Sequence, residues 1–338
     1  MEKIENEIVN KTYLAINSLE ELRNMIGIKS DYFYKCLYVN DHFYNVIKIP
    51  KRKKDEYREL MIPNMALKNI QRWILDNVLY RRQVHKCATG FVPRKSIVNN
   101  AIPHVGQKYI LKMDIENFFP SITFKQVRKI FSEMGYKFEL ATALANLCTV
   151  NNQLPQGAPT SPYIANIIFY NIDKRIFSYC QKNNLRYTRY ADDITISGSN
   201  KVSFSKEIIR EIVNQYNFRI NESKTIMFKP GDRKKVTGII VNEKISVPKT
   251  LIREVRKQIY FVNKFGLEEH LIRNNYSLDY EQQFIMSIYG KISFIKMIDF
   301  KKGVSLQKKF NEVLGNIESS NMYRDNIDFD DIELHWIN

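Results

Sequence analysis

Apolar and polar positions along the chain predict an α+β body followed by a helical stretch. Residues 3–24 read as a surface helix ending before Gly27, and residues 43–62 as two short strands around the basic turn Lys51-Arg52-Lys53-Lys54. Leu67, Ile70, Ile74 and Val78 recur at helical spacing, so a helix is expected over residues 66–80. Residues 109–115 make a mostly apolar strand carrying Asp114 near its end. Thr123, with Gln126 three positions on, forms a capping-box signature for a helix reaching about residue 134. Ser161-Pro162 offers a cap followed by proline at the first helical position. Ile164, Ile167, Ile168, Ile172 and Ile176 then mark a long helix buried along one side. Residues 187–198 read as two strands around a tight acidic turn, with Ile194 and Ile196 on one face and Thr195 and Ser197 on the other. Residues 204–216 are helical and 236–241 a strand. Helices follow at about 250–265, 279–298 and 304–317.

Charge adds a partner class to this picture. The chain has 338 residues and a net charge of +16. Six acids against one base between Glu318 and Asn338 leave the rest at +21. So basic a body suits a polyanion, most simply nucleic acid, although a well-solvated surface would look the same by charge alone. With 44% hydrophobic residues a packed core is expected and global disorder excluded. No apolar run is long enough to span a membrane, and the N-terminus lacks a signal-peptide layout. Cys36, Cys87, Cys148 and Cys180 are widely spaced, which fits a reducing cytoplasm and neither a disulfide framework nor a zinc knuckle.

Three carboxylates carry the chemistry. Asp114 is expected at a strand end, and Asp192 and Asp193 at a hairpin tip. A lone Asp-Asp pair is usually a solvated turn. Three acids brought together repel one another unless divalent cations neutralise them, and Mg²⁺ takes oxygen ligands while keeping substrate phosphates in its shell. Two such ions about 4 Å apart can activate a hydroxyl nucleophile and stabilise a leaving pyrophosphate.

The surroundings narrow the reading. Met113-Asp114-Ile115-Glu116-Asn117-Phe118-Phe119-Pro120-Ser121-Ile122, then Leu154-Pro155-Gln156-Gly157-Ala158-Pro159-Thr160-Ser161-Pro162, then Tyr190-Ala191-Asp192-Asp193, in this order, resemble the palm motifs of reverse transcriptases. The likeness covers about residues 45–315. Asn100-Ala101-Ile102-Pro103-His104 is similar to the Asn-Ala-x-x-His motif of retron reverse transcriptases, and Val236-Thr237-Gly238 to their Val-Thr-Gly motif.

The resemblance implies a right-hand polymerase of fingers, ferredoxin-like palm and helical thumb. The implied division is an N-terminal helical segment (1–40), fingers (41–108), palm (109–241, with part of the fingers inserted), thumb (242–317) and an acidic tail (318–338). Asp114, Asp192 and Asp193 would hold two Mg²⁺ ions, with the Ile115 carbonyl as a further ligand. Phe119 would be the steric gate against the ribose 2′ position, or else an ordinary core aromatic. Gln156 would contact the incoming dNTP while Gly157 lets backbone approach substrate, although both also suit a simple turn. Arg58 and Lys54 would grip the triphosphate, the neighbouring lysines suiting a solvated turn equally well. Lys224 would protonate the leaving pyrophosphate. Thr237 and Gly238 fall at the primer grip. Asn100 and His104 are hallmarks without a catalytic assignment and would contact RNA, although His104 could equally order a loop or lie inside the fold. Arg253, Arg256 and Lys257 lie on a basic helix with Lys249 and Lys264, suited to an RNA or duplex backbone. Of the interleaved aromatics Tyr260, Phe261, Phe265, Tyr276 and Tyr280, most are expected in the core and some on unpaired bases.

The implied partners are a cognate noncoding RNA and its DNA product, dNTPs, an effector toxin or nuclease, and a cellular RNase H, with no membrane. A group II intron-like or diversity-generating enzyme is the alternative within enzymes, and an RNA–DNA-holding scaffold of a defence complex the alternative outside them. In the tail, Ile327, Phe329, Ile332, Leu334 and Trp336 alternate with acids, as in a segment that folds back on the body or docks a partner.

Overall fold

The structure, a computed structural model, describes residues 13–50 and 57–318. In chain order the main elements are α1 (Leu19–Ile26), α2 (Ser30–Tyr38), β1 (Tyr44–Pro50), β2 (Tyr57–Pro63), α3 (Met65–Asn77) and α4 (Ile97–Ala101). There follow β3 (Tyr109–Glu116), α5 (Phe124–Glu133), α6 (Phe138–Cys148), α7 (Ser161–Ile168), α8 (Tyr170–Lys182), β4 (Arg186–Tyr190) and β5 (Asp193–Gly198). The last group is α9 (Ser205–Asn214), β6 (Arg219–Phe228), β7 (Lys235–Val236), β8 (Ile239–Ile240), α10 (Lys249–Phe265), α11 (Leu267–Arg273), α12 (Glu281–Ile298) and α13 (Phe300–Glu318).

The chain divides into two compact units: Met1–Ser96 with Lys108–Pro230, and Ile97–Gln107 with Gly231–Asn338. In the first, an antiparallel sheet runs β4-β5-β3-β6. Ile110, Met113, Ile194 and Ile196 are buried, as are Phe131, Phe169 and Phe218 in the surrounding core. Thr195 and Ser197 are buried as well, so both faces of β5 are covered and the expected apolar-in, polar-out alternation does not hold there. The β1–β2 pair forms a separate two-stranded sheet in the expected place. Its basic turn, with Lys54, lies outside the described residues, as does the acidic tail beyond residue 318.

Local chemistry explains most of the element ends. The Thr123 hydroxyl accepts from the Gln126 N–H while the Gln126 side chain accepts from the Thr123 N–H, a closed capping box. The N-terminal helix is shorter than expected: Ser18 caps it by accepting from the Glu21 N–H, and Gly27 ends it with a φ of 75°. Residues 1–12 lie outside the described residues. Ser161 is the first helical residue rather than the cap, and the long helix breaks at Phe169 into α7 and α8.

In the second unit α10, α12 and α13 pack through Val255, Ile259, Ile288, Ile292 and Phe310. The expected strand over 236–241 is a hairpin instead: β7 and β8 pair across Thr237 and Gly238, whose φ values are 42° and 84°. The short helix α11 interrupts the expected gap before α12. Residues 97–107, assigned by sequence to the fingers, join this unit because α4 packs on β8 and the Gly106 N–H donates to the Val241 carbonyl. Among the described residues no helix is long and apolar enough to cross a membrane.

Two glycines of α13 should respond oppositely to the same change. A Cβ at Gly303 would collide with the Lys296 backbone, whereas nothing lies within 4 Å of one at Gly315. Gly303→Ala should destabilise by about 1–3 kcal/mol. Gly315→Ala should stabilise by up to about 1 kcal/mol through helix propensity. Denaturant unfolding of both variants checks the sign difference.

Candidate active site

Register brings the carboxylates together. In the β3–β5 ladder Asp114 stands opposite Asp193, and on its other side β3 places Asp114 opposite Asn221 of β6. Tyr190 pairs with Asp193, leaving Ala191 and Asp192 as a two-residue loop. Such loops need positive φ, and Ala191 supplies 52° without being glycine. The Ile115 N–H donates to the Asp192 carbonyl at 3.0 Å, tying the loop to the end of β3.

Two lysines answer the clustered charge. Lys224 Nζ lies 3.0 Å from Asp114 Oδ2, and Lys112 Nζ lies 2.7 Å from Asp193 Oδ2. Burial pushes the Asp192 carboxyl up to about 6, and the nearby Asp114 charge adds to the effect. Burial also raises Asp193, opposed by Lys112. Among the described residues no group of three acidic, histidine or cysteine side chains forms a metal cage by itself. The donors present are hard oxygens, and Asp192 is held against its neighbours' negative charge. That set fits a divalent cation completed by substrate phosphates rather than an all-protein cage.

The other expected residues fall into three places. Phe119 is half-buried, its ring 5.4 Å from that of Phe118, with part of the side chain exposed close after the carboxylate strand. Arg58 is half-buried on β2, in register with Ile49. Gln156 is half-buried, and its carbonyl accepts from the Met61 N–H at 2.9 Å. A Cβ at Gly157 would lie 2.8 Å from the Met61 carbonyl oxygen, so the absence of a side chain there admits the backbone of β2.

Thr237, Gly238, Asn100 and His104 gather in the second unit. Asn100 Nδ2 lies 3.4 Å from Thr237 Oγ1, and Thr237 Oγ1 donates to the Ile97 carbonyl at 3.2 Å. Thr237 is β-branched and strained at its positive φ, and these bonds hold it there. Asn100 and His104 are fully buried, so of the alternatives for His104 its side chain lies inside the fold, and Asn100 reaches the hairpin through Thr237.

Arg253, Arg256 and Lys257 are exposed on α10, and Arg256 lines a hollow with Lys301, Lys302, Ser305 and Lys309 of α13. The aromatics here are not core. Tyr260, Tyr276 and Tyr280 are exposed, and Phe261 and Phe265 are half-buried with Lys257, Lys264 and Arg273 over their faces.

Sequence reading missed Lys112, Arg189, Asp173 and Asn166. The period of two along β3 puts Lys112 on the face of Asp114, a signal that could have found it. Nothing local marks the other three, which meet only in the folded chain.

An antiparallel sheet offering a strand-end Asp beside an Asp-Asp hairpin loop is the palm of a template-directed polymerase. The family model for "Reverse transcriptase (RNA-dependent DNA polymerase)" matches residues 49–263. Retron Ec86 reverse transcriptase of Escherichia coli is 33% identical over 300 residues, covering 86% of this chain and 92% of that protein. Retron Mx162 reverse transcriptase of Myxococcus xanthus is 31% identical over 301 residues, covering 78% of this chain and 60% of that one. Apo telomerase from Candida tropicalis aligns with a TM-score of 0.47 and 11% identity over 83% of this chain and 58% of that one. This chain belongs to the retron reverse transcriptases, with a right-hand polymerase fold and RNA-directed DNA polymerase activity.

The raised Asp192 carboxyl has a consequence for stability. Folding disfavours its ionised form, so its contribution weakens the metal-free fold as pH rises from about 4 to about 6 and stays constant above. Asp192→Asn in EDTA should therefore melt higher than the parent at pH 7.5, and the difference should shrink toward pH 4. Thermal melts across that range check it.

Proposed function

We propose that this enzyme copies part of a dedicated noncoding RNA into single-stranded DNA, primed from an internal guanosine 2′-hydroxyl. The product is DNA joined to RNA, and the complex serves with a toxin or nuclease effector in anti-phage defence. Convergence of Asp114, Asp192 and Asp193 on one end of the sheet carries the catalytic part of this reading. Membership of the retron family and the side-chain link between the Asn-Ala-x-x-His and Val-Thr-Gly segments support the retron part.

In this reading Asp114, Asp192, Asp193 and the Ile115 carbonyl hold the cations, taken to be two Mg²⁺. When bound, these supply charge for activating the attacking hydroxyl and neutralising the leaving pyrophosphate. Lys224, already within reach of Asp114, gives the leaving group its proton. Arg58, Lys54 and Gln156 hold the dNTP, a guanidinium fork suiting phosphate oxygens. The exposed part of Phe119 closes on the sugar. Thr237 and Gly238 present their backbone to the primer end. The exposed bases of α10, with those of α13 around the shared hollow, bind RNA backbone. A cellular RNase H removes copied template.

The decisive experiment sequences the nucleic acid that copurifies with the protein and with Asp192→Asn. The parent should carry one RNA species covalently joined to DNA. The variant should retain the RNA, with DNA synthesis down by about a hundredfold or more, equivalent to about 3 kcal/mol of barrier. Near-normal DNA on the variant overturns the catalytic assignment, and unlinked or heterogeneous nucleic acid on the parent overturns the retron role. Sugar selection has its own check. Phe119→Val should raise rNTP over dNTP incorporation in single-turnover extension, and an unchanged ratio in a folded variant returns Phe119 to the core.

A further inference from the structure

Behind the Asp-Asp loop lies a charge pair wholly cut off from water. Arg189 of β4 donates from Nε to Asp173 Oδ1 at 2.9 Å and from Nη2 to Asp173 Oδ2 at 2.6 Å. Neither side chain has any exposed surface. The Tyr187 hydroxyl donates to Asp173 Oδ1, and the Arg189 guanidinium faces the Phe169 ring at 4.6 Å. A buried pair of this kind is weak evidence of stabilisation, because apolar side chains of similar volume often serve the fold as well or better. Its presence asks what else the guanidinium does.

The remaining nitrogen gives the answer. Arg189 Nη1 donates to Asn166 Oδ1 and to the Ala191 carbonyl, both at 2.9 Å. Asn166 in turn donates to the Gly90 carbonyl at 2.8 Å, and a Cβ at Gly90 would lie 2.8 Å from the Ala191 nitrogen. The Ala191 carbonyl belongs to the peptide plane entering Asp192. The Asp192 carbonyl, gripped by the Ile115 N–H, belongs to the plane leaving it. Peptide planes are rigid, so fixing the planes on both sides of one Cα fixes its two soft torsions and with them the direction of its side chain. Only one of those clamps comes from the ladder beside the carboxylates. The other comes from Arg189.

We propose that Arg189, itself locked by Asp173 and Asn166, is a positioning residue that aims the Asp192 carboxylate by holding the Ala191–Asp192 peptide. The proposal rests on the reading of Asp192 as catalytic. It assigns the strained φ of Ala191 a cause, since the loop is held from behind by a donor that a lysine or an apolar side chain cannot replace.

The test uses two variants beside Asp192→Asn, each purified as full chain with its RNA. In Arg189→Met/Asp173→Leu both buried charges leave together, so the fold has no orphaned ion. In Arg189→Lys the charge stays, but one ammonium cannot fork to Asp173, Asn166 and the Ala191 carbonyl at once. Both should melt cooperatively near the parent temperature. Both should lose roughly tenfold or more in kcat for dNTP addition, with KM for dNTP and affinity for RNA unchanged. A purely structural pair predicts the opposite for the double variant, which would then be stable and fully active. Either variant folded with parental kcat overturns the positioning role. So does loss of the native transition in both, which would make the pair a requirement of the whole fold. If Asp192→Asn itself extends normally, the catalytic reading fails, and that result is separate from the behaviour of Arg189.

Discussion

The register of β3 against β5 is the constraint on which the rest of the first unit's candidate site depends. One residue of slip would turn Asp114 to the other face of the sheet and bury it among the isoleucines. That register is pinned from several directions. Ile110, Met113, Ile194 and Ile196 must stay in the core, β6 holds the other side of β3, and the Asp192 carbonyl is bonded to Ile115 at the strand end. The acidic site is therefore a by-product of apolar packing a few residues away.

Electrostatics works against this geometry. Three carboxylates at one sheet end repel, and partial burial raises the cost for Asp192 and Asp193. Lys224 and Lys112 offset part of it from neighbouring strand positions, one on Asp114 and one on Asp193. Asp192 is left the least compensated of the three. A site arranged in this way is unfavourable to the fold and ready for a cation, which is how strain at functional positions is generally found.

The second unit shows a similar economy in polar chemistry. Asn100 and Thr237 are 137 positions apart, yet their side chains meet, and through them a short helix supports a hairpin whose backbone is strained. The helices of the same unit bury Val255, Ile259, Ile288 and Phe310 and leave Arg253, Arg256, Lys257 and Tyr260 at the surface. Lysines and arginines over aromatic faces keep those rings half-covered without removing them from solvent.

Much of this was legible in the chain itself. Periodicity of two and of 3.6 located β3, the β4–β5 hairpin, α5 and the terminal helices, because those elements bury one side and show it as a repeat. The capping box at Thr123 and the acidic loop at Asp192 are local devices, readable without partners. What the sequence could not disclose arises where distant segments meet. Nothing local shows that Gly157 also makes room for the backbone of β2. The 236–241 run reads as one strand because nothing local shows that Asn100 and Ile97 bend it into a hairpin. Nothing in the sequence around Arg189 marks it as buried, and only the approach of Asp173 from α8 and Asn166 from α7 puts it in the core. Residue types and spacing determine where an element can form and which chemistry it can carry. Tertiary packing decides which of those groups meet, since a hydrogen bond between residues tens of positions apart exists only after the chain between them has folded.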